Sequence, residues 1–309
     1  MTLTLNHPDF YHAARGSAAV LRQPWNRGLL RLSGPERISW LQGMVSNDVE
    51  KLHPGQGVYA AHLNAQGKIV GQMTILVDDD FIWLSMEASN VKKLADVLDR
   101  MIVMEDVQCE NLTENFESIA VIGPQAASVL ATWLGEPVNL DEQFSHRSSP
   151  KCARILRDEL GFTVWADIAN AASAVDGIVA AGATLIDEAT WNVIRIEAGL
   201  PIYGIDIDES TTLPEIGEKG IRYDKGCYIG QEVVARIKYI GHVNRRFMGL
   251  ILEGESLPAP GSVARFAGKD VGHITSSAFS LELGKVVALG YLSRNAAVSR
   301  MPGHDSLGR

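Results

Sequence analysis

The chain has 309 residues, with 28 Lys plus Arg against 37 Asp plus Glu, so its formal net charge is 28 − 37 = −9. That length asks for two or three domains whose cores need no staples, and 46% hydrophobic with 21% charged residues excludes global disorder. The acid excess counts against broad, sequence-independent nucleic-acid binding, and no apolar run reaches the roughly 18 residues of a membrane span. The opening MTLTLNHPDFYH lacks a basic region followed by an apolar one, so a cytoplasmic protein that binds neither membrane nor nucleic acid directly is expected.

Residues 28–32 read as a strand, and Ser33-Gly34-Pro35 can open a helix whose Ile38, Leu41 and Val45 share one face. Two β-prone runs, 58–63 and 68–77, flank the polar tetrapeptide 64–67 as a hairpin does. A third strand over 81–84 follows the turn at Asp78-Asp79-Asp80. Ser89-Asn90 then caps a helix that lines up Val91, Leu94, Leu98, Met101 and Ile102. A second unit starts near Phe116: strand 119–122, a helix opened by Gly123-Pro124, strands 152–156 and 162–165 around the turn 158–161, and a small-residue helix over 171–181. Its β-α-β-β-α order is that of a ferredoxin-like unit.

A helix over 190–199 closes on Gly199. Residues 200–241 are then rich in Gly, Asp, Glu and Tyr, and so long an irregular stretch in a compact domain usually carries function. From Arg246 onward the strands 247–252, 262–266 and 286–292 alternate with Gly and Pro, the pattern of a small antiparallel barrel, and residues 300–309 read as a loose tail.

Three cysteines, Cys109, Cys152 and Cys227, are odd in number and too far apart for a disulfide framework or a closed zinc or iron–sulfur site. Cys109 and Cys152 sit in apolar or strand-like contexts and read as structural. Cys227 differs, because Lys225 lies two residues before it and glycines flank it. A nearby ammonium raises the thiolate fraction that a nucleophile needs, while a buried structural Cys beside a surface Lys explains the same residues. His7 and His12 have no third partner for a metal, and neither GxGxxG nor GxxxxGK[ST] occurs.

KGCYIGQEVVARI (225–237) resembles the signature of the YgfZ-type proteins, folate-binding relatives of the glycine-cleavage T-protein that assist maturation of iron–sulfur enzymes. WLQGMVSNDV (40–49), IRIEAGLPIYGIDIDESTTLPE (194–215), GHVNRRF (241–247) and GHITSSAFS (272–280) extend the resemblance over about 28–293. It implies an α+β fold, a ring of ferredoxin-like or antiparallel modules around a tetrahydrofolate channel, closed by a small C-terminal β-barrel. The boundaries expected are 1–240 for the folate-binding region, as interleaved modules of about 1–115 and 116–240, and 241–309 for the barrel and tail.

By the same resemblance Lys225 and Cys227 take the reactive Lys-Gly-Cys positions, with Gln231 and Glu232 completing the loop. Tyr228, Gln231 and Arg236 are expected beside the folate, Glu197 against its pterin ring, and Asn47 and Asp48 along the channel. Residue types alone also allow Glu197 as a helix-surface acid and Asn47 and Asp48 as an ordinary loop with local hydrogen bonds. The basic run Arg236, Lys238, Arg245 and Arg246 suits a folate's glutamate tail, a phosphate backbone or solvent, solvent being the commonest state of Lys and Arg. One departure separates the relatives. The T-protein carries acids just after its Gly-Gly turn, whereas residues 67–73 here read GKIVGQM. Loss of a general acid or base typically removes about 10²–10⁴-fold of rate. The expectation is therefore a monomeric accessory protein that binds tetrahydrofolate and serves iron–sulfur client enzymes such as tRNA thiomethyltransferases. The alternative is a folate-dependent aminomethyltransferase or demethylase of the T-protein type.

Overall fold

The computed structural model describes residues 7–297; the expected tail at 300–309 lies outside them. Helix α1 (Pro8–Gly16) and β1 (Ala19–Arg22) precede the first unit, which contains β2 (Arg27–Ser33), α2 (Arg37–Met44), β3 (Gly57–Leu63), β4 (Ile69–Val77), β5 (Phe81–Glu87), α3 (Ala88–Asp99) and β6 (Gln108–Asn111). Its sheet runs β3-β4-β5-β2-β6. The expected hairpin is present, with Gly67 at φ +70° turning it back on itself. α2 and α3 bury Trp40, Leu41, Val91, Leu94 and Leu98 against one face of this sheet.

The second unit follows as β7 (Phe116–Ile122), α4 (Ala126–Leu134), β8 (His146–Ser149), β9 (Cys152–Arg157), β10 (Gly161–Asp167), α5 (Ala171–Ala180) and β11 (Thr184–Leu185). Its sheet, β11-β1-β7-β10-β9-β8, takes β1 from the start of the chain. The N-terminal residues therefore belong to the second sheet although they precede the first. α4 and α5 cover one face of it with Val129, Leu130, Ala174 and Ile178. The two sheets meet through their remaining faces around Leu29, Trp83, Phe144, Leu156 and Trp165, where Trp83 and Trp165 pack edge-on at 6.3 Å.

α6 (Glu188–Glu197) begins where Asp187 accepts the Thr190 N–H at 2.8 Å. Of the stretch expected to be irregular, one part is helical: α7 (Gln231–Tyr239), entered through Gly230 at φ +82°. The C-terminal domain contains β12 (Arg245–Leu252), β13 (Val263–Phe266), β14 (Lys269–Ser280) and β15 (Lys285–Ser293), ordered β12-β15-β14-β13 and fully antiparallel. It docks on α6 through Ala278, Val287 and Leu289. The overall class is thus α+β, with a small C-terminal sheet domain. Among the described residues no helix is long and apolar enough to cross a membrane.

Candidate functional site

Where the tight packing between the first two sheets ends, a cavity of about 330 Å³ remains. Its floor is the open face of the first sheet, and strand pairing fixes which side chains share that face. Tyr59 lies opposite Thr74, Thr74 opposite Ser85, and Arg27 opposite Glu87. All five line the cavity, together with Gln72, one alternation before Thr74. Phe144, Leu156 and the β9–β10 turn form the facing wall. Trp191 and Ala198, seven residues apart on and just after α6, form a third side with Leu200 and Pro201, and Ile216 and Lys219 a fourth. The result is a polar floor beneath mostly apolar walls, the usual build of a small-molecule site.

Most of the polar groups are already engaged. Arg27 donates through Nε to Ser85 Oγ and through Nη2 to the Ser85 carbonyl, both at 2.9 Å. Asp158 accepts from the Leu160 and Gly161 N–H groups at 3.0 Å and from Thr163 Oγ1. Glu159 pairs with Lys219. Burial pushes Glu87 above the usual carboxylate range, although Arg27 pulls it down, and it pushes the Tyr59 hydroxyl well up.

The Lys-Gly-Cys loop lies behind this floor. Lys225 Nζ donates to the carbonyls of Gln42, Val45 and Asn47 at 2.6, 2.7 and 2.8 Å, so its three protons are committed to the end of α2. Burial lowers it to about 8, against the pull of Asp48 and Glu50. The ammonium also sits 5.1 Å from the centre of the Tyr228 ring. Cys227 is exposed on the same loop. Lys225 is thus built as a clamp, and its donors go to backbone carbonyls rather than to the Cys227 thiol. Nearby, Ser46 Oγ donates to the Gly220 carbonyl at 2.6 Å. Gly220 has φ +82°, and a Cβ there would lie 2.8 Å from the Tyr59 ring, so loop and cavity floor touch directly.

None of the site residues expected from the sequence lines the cavity. Glu197 is turned about 100° round α6 from Ala198, and its carboxylate accepts from Tyr11 at 2.9 and 3.0 Å and pairs with Arg15. It ties α6 to α1, so in this structure its carboxylate is engaged with Tyr11 and Arg15 rather than lining the cavity. The carboxylates that reach the cavity are Glu87, Asp158 and Glu159. Asn47 bonds the Tyr59 carbonyl at 2.9 Å and the Asp48 N–H at 2.9 Å, and Asp48 pairs with Gln42 and Lys51, which hold it below its usual range. Both therefore brace the loop under Lys225. Tyr228 is buried in the core beneath α7, where burial raises its hydroxyl to about 12. Gln231 opens α7, and Arg236 pairs with Glu232 one turn on, exposed. Burial raises the Cys109 and Cys152 thiols to about 11, in keeping with structural roles.

Residues 12–221 match the GCVT N-terminal domain, and 245–303 match the glycine cleavage T-protein C-terminal barrel domain. The chain belongs to the glycine cleavage T-protein family. It is 29% identical over 283 residues to an aminomethyltransferase of Rippkaea orientalis, covering 87% of this chain and 76% of that one. It is also 29% identical over 318 residues to an aminomethyltransferase of Nostoc sp., covering 94% and 81%. The fold matches that of the glycine cleavage system aminomethyltransferase T from Bartonella henselae with a TM-score of 0.84, at 22% identity over 94% of this chain and 83% of that one.

In this T-protein family member the clamp has a measurable consequence. Lys225→Met is expected to lower stability by about 1–3 kcal/mol, the cost of stranding acceptors at a half-buried helix end. It should also expose the loop around Cys227 to proteolysis. Denaturant titration and limited digestion of the two proteins check this; identical digestion patterns would mean that Lys225 does not hold the loop.

Proposed function

We propose that this protein binds tetrahydrofolate in the cavity between its first two sheets. The observation that carries the reading is the polar row on the cavity floor beneath the apolar walls of Phe144, Leu156 and Trp191, which suits a flat heterocycle with a hydrogen-bonding edge. Gln72 Nε2 is buried on that floor without a partner, so the residues present fit such a ring. Tetrahydrofolate, when bound, supplies amine nitrogens that carry a one-carbon unit. The chain's own part is to hold the ring, exclude water and leave the carrying end accessible.

Two finer functions rest on different observations. The relatives named aminomethyltransferases favour one-carbon transfer of the T-protein type. The exposed Cys227 on its clamped loop, and an amide at Gln72 within the stretch where the resemblance expects acids, favour a YgfZ-type accessory role toward iron–sulfur client enzymes. Purified protein given tetrahydrofolate and an aminomethyl or methylamine donor separates them. Formation of 5,10-methylenetetrahydrofolate supports the transferase. Calorimetric binding without turnover, together with failure of Cys227→Ala to restore tRNA thiomethylation in cells lacking the native gene, supports the accessory role. No heat of binding would remove the folate reading altogether.

A further inference from the structure

Most of the described residues that line the cavity are buried or half-buried; the exposed ones are Glu159, Ala198, Gly199 and Lys219. Those four mark its mouth. Ala198 and Gly199 can reach nothing longer than a methyl group across it. Glu159 and Lys219 stand on different parts of the fold, the β9–β10 turn of the second unit and the chain between α6 and α7, and their side chains meet in an ion pair. The Lys219 ammonium also lies 5.7 Å from the centre of the Phe144 ring, part of the cavity wall. The side chain thus folds over the opening instead of extending into water.

The two sides of the mouth differ in freedom. Asp158 pins the turn beside Glu159 by accepting the Leu160 and Gly161 N–H groups and the Thr163 hydroxyl. Lys219 lies between Gly217 at φ +113° and Gly220 at φ +82°. Gly220 is seated against the Tyr59 ring, whereas a Cβ at Gly217 would meet nothing within 4 Å. A short segment held at one end and free at the other, with glycines taking up left-handed backbone, is built as a hinge is. Glu218 turns outward to Lys238 on α7, which leaves Lys219 as the side chain over the opening. Its ion pair is open to water on the lysine side, 49% exposed, and such pairs hold weakly.

We propose that Lys219 and Glu159 form a charged latch on the cavity: Lys219 swings away at the Gly217 hinge to admit a ligand and pairs again with Glu159 behind it. The latch acts on whatever enters the cavity, so it stands apart from the folate reading. Opening breaks one exposed ion pair and little else, because Gly220 and the Asp158-held turn stay in place. Closure shields the polar floor from water, which strengthens the hydrogen bonds a ligand makes there.

A thiol placed behind the latch tests it without any ligand. Thr74 is 8% exposed on the cavity floor. Thr74→Cys in a Cys227→Ser background puts one thiol there, while burial keeps Cys109 and Cys152 unreactive. Its labelling by the neutral reagent N-ethylmaleimide reads how often the mouth opens. Lys219→Met and Glu159→Gln are each expected to speed labelling about two- to fivefold, the hold of an exposed pair. The first removes a charge that favours the thiolate and the second one that opposes it, so acceleration in both reports opening rather than ionisation. Raising salt from about 0.02 to 0.5 M should speed the latched protein and leave the two variants unchanged. The charge swap Lys219→Glu with Glu159→Lys should restore slow labelling. Ser85→Cys, on the neighbouring strand of the same floor, replaces Thr74→Cys if that variant fails to fold. Rates that ignore both substitutions and salt, variants that move in opposite directions, or a charge swap that stays fast each overturn the latch.

Discussion

Arg195→Ala is expected to cost about 3–5 kcal/mol of stability, the usual result of removing one partner from a buried ion pair. Arg195 is 2% exposed in the middle of the fold and donates to Asp206 at 2.7 Å, Ser276 Oγ at 2.8 Å and Asn192 Oδ1 at 2.8 Å. Asp206 in turn accepts from Thr275, Ser276 and the Ile202 N–H. One guanidinium thus ties α6 to the strap that follows it and to β14 of the C-terminal domain. Burial lowers Arg195 from its ordinary value, and Asp206 opposes that shift, so truncation leaves a carboxylate facing only neutral donors. Denaturant midpoints and slopes measure the loss. The double variant Arg195→Leu with Asp206→Asn is expected to recover much of it, because the stranded charge dominates the cost. Ligand affinity should fall as well, since the same helix places Trp191 in the cavity wall. A loss below about 1 kcal/mol, the range of exposed pairs, would show that the network does not hold the domains together.

Local signals made most of the fold legible. The hairpin of β3 and β4 and the Val91, Leu94 and Leu98 face of α3 are each written in a few adjacent residues and form as read, although α3 already begins at Ala88, ahead of the Ser89-Asn90 pair expected to cap it, and α6 starts at Glu188 rather than at 190. What escaped was non-local or polar. β14 contains GHITSSAFS, whose small polar residues hide its alternation, yet it pairs along its length with β15. β1 joins a sheet built almost entirely from residues a hundred positions later, which no window on the sequence shows. The site divides in the same way. The Lys-Gly-Cys loop is the most specific string in the chain, and the structure places it behind the cavity floor rather than in it. Which side of α6 Glu197 takes is settled by its bonds to Tyr11 and Arg15 of α1, which no local pattern shows. The floor did leave a signal, since Gln72 and Thr74 on β4, and Ser85 and Glu87 on β5, put polar residues at alternate positions of otherwise apolar strands. Polar groups on a strand face that must be buried call for a partner, and such alternation is a usable pointer to a ligand.

Acid is expected to loosen the contact between the first two units through His146. This side chain is 3% exposed at the seam, with Nε2 against the Gln56 carbonyl at 3.2 Å and Nδ1 against Arg154 Nη1 at 3.3 Å. A carbonyl accepts and a guanidinium donates, so the ring is neutral with its proton on Nε2, and Nδ1 is already occupied as an acceptor. Arg154 is fixed in turn by Asp78 and by the Trp83 ring, 5.2 Å from its charge, and it cannot easily withdraw from a second cation. Burial, with Arg154 adding to it, lowers His146 to about 4, against an ordinary value of 6.5. The unfolded chain therefore takes up the proton first. The stability from keeping the ring neutral is fully present above about pH 6.5 and is lost progressively as pH falls toward 4, by up to about 3 kcal/mol. Carboxylates titrate in the same range, so the informative quantity is the difference between native protein and His146→Gln, whose amide can still meet the Gln56 carbonyl but cannot charge. The two stability curves are expected to converge as pH drops from 7 to 4.5; parallel curves would mean that the seam accepts a protonated His146.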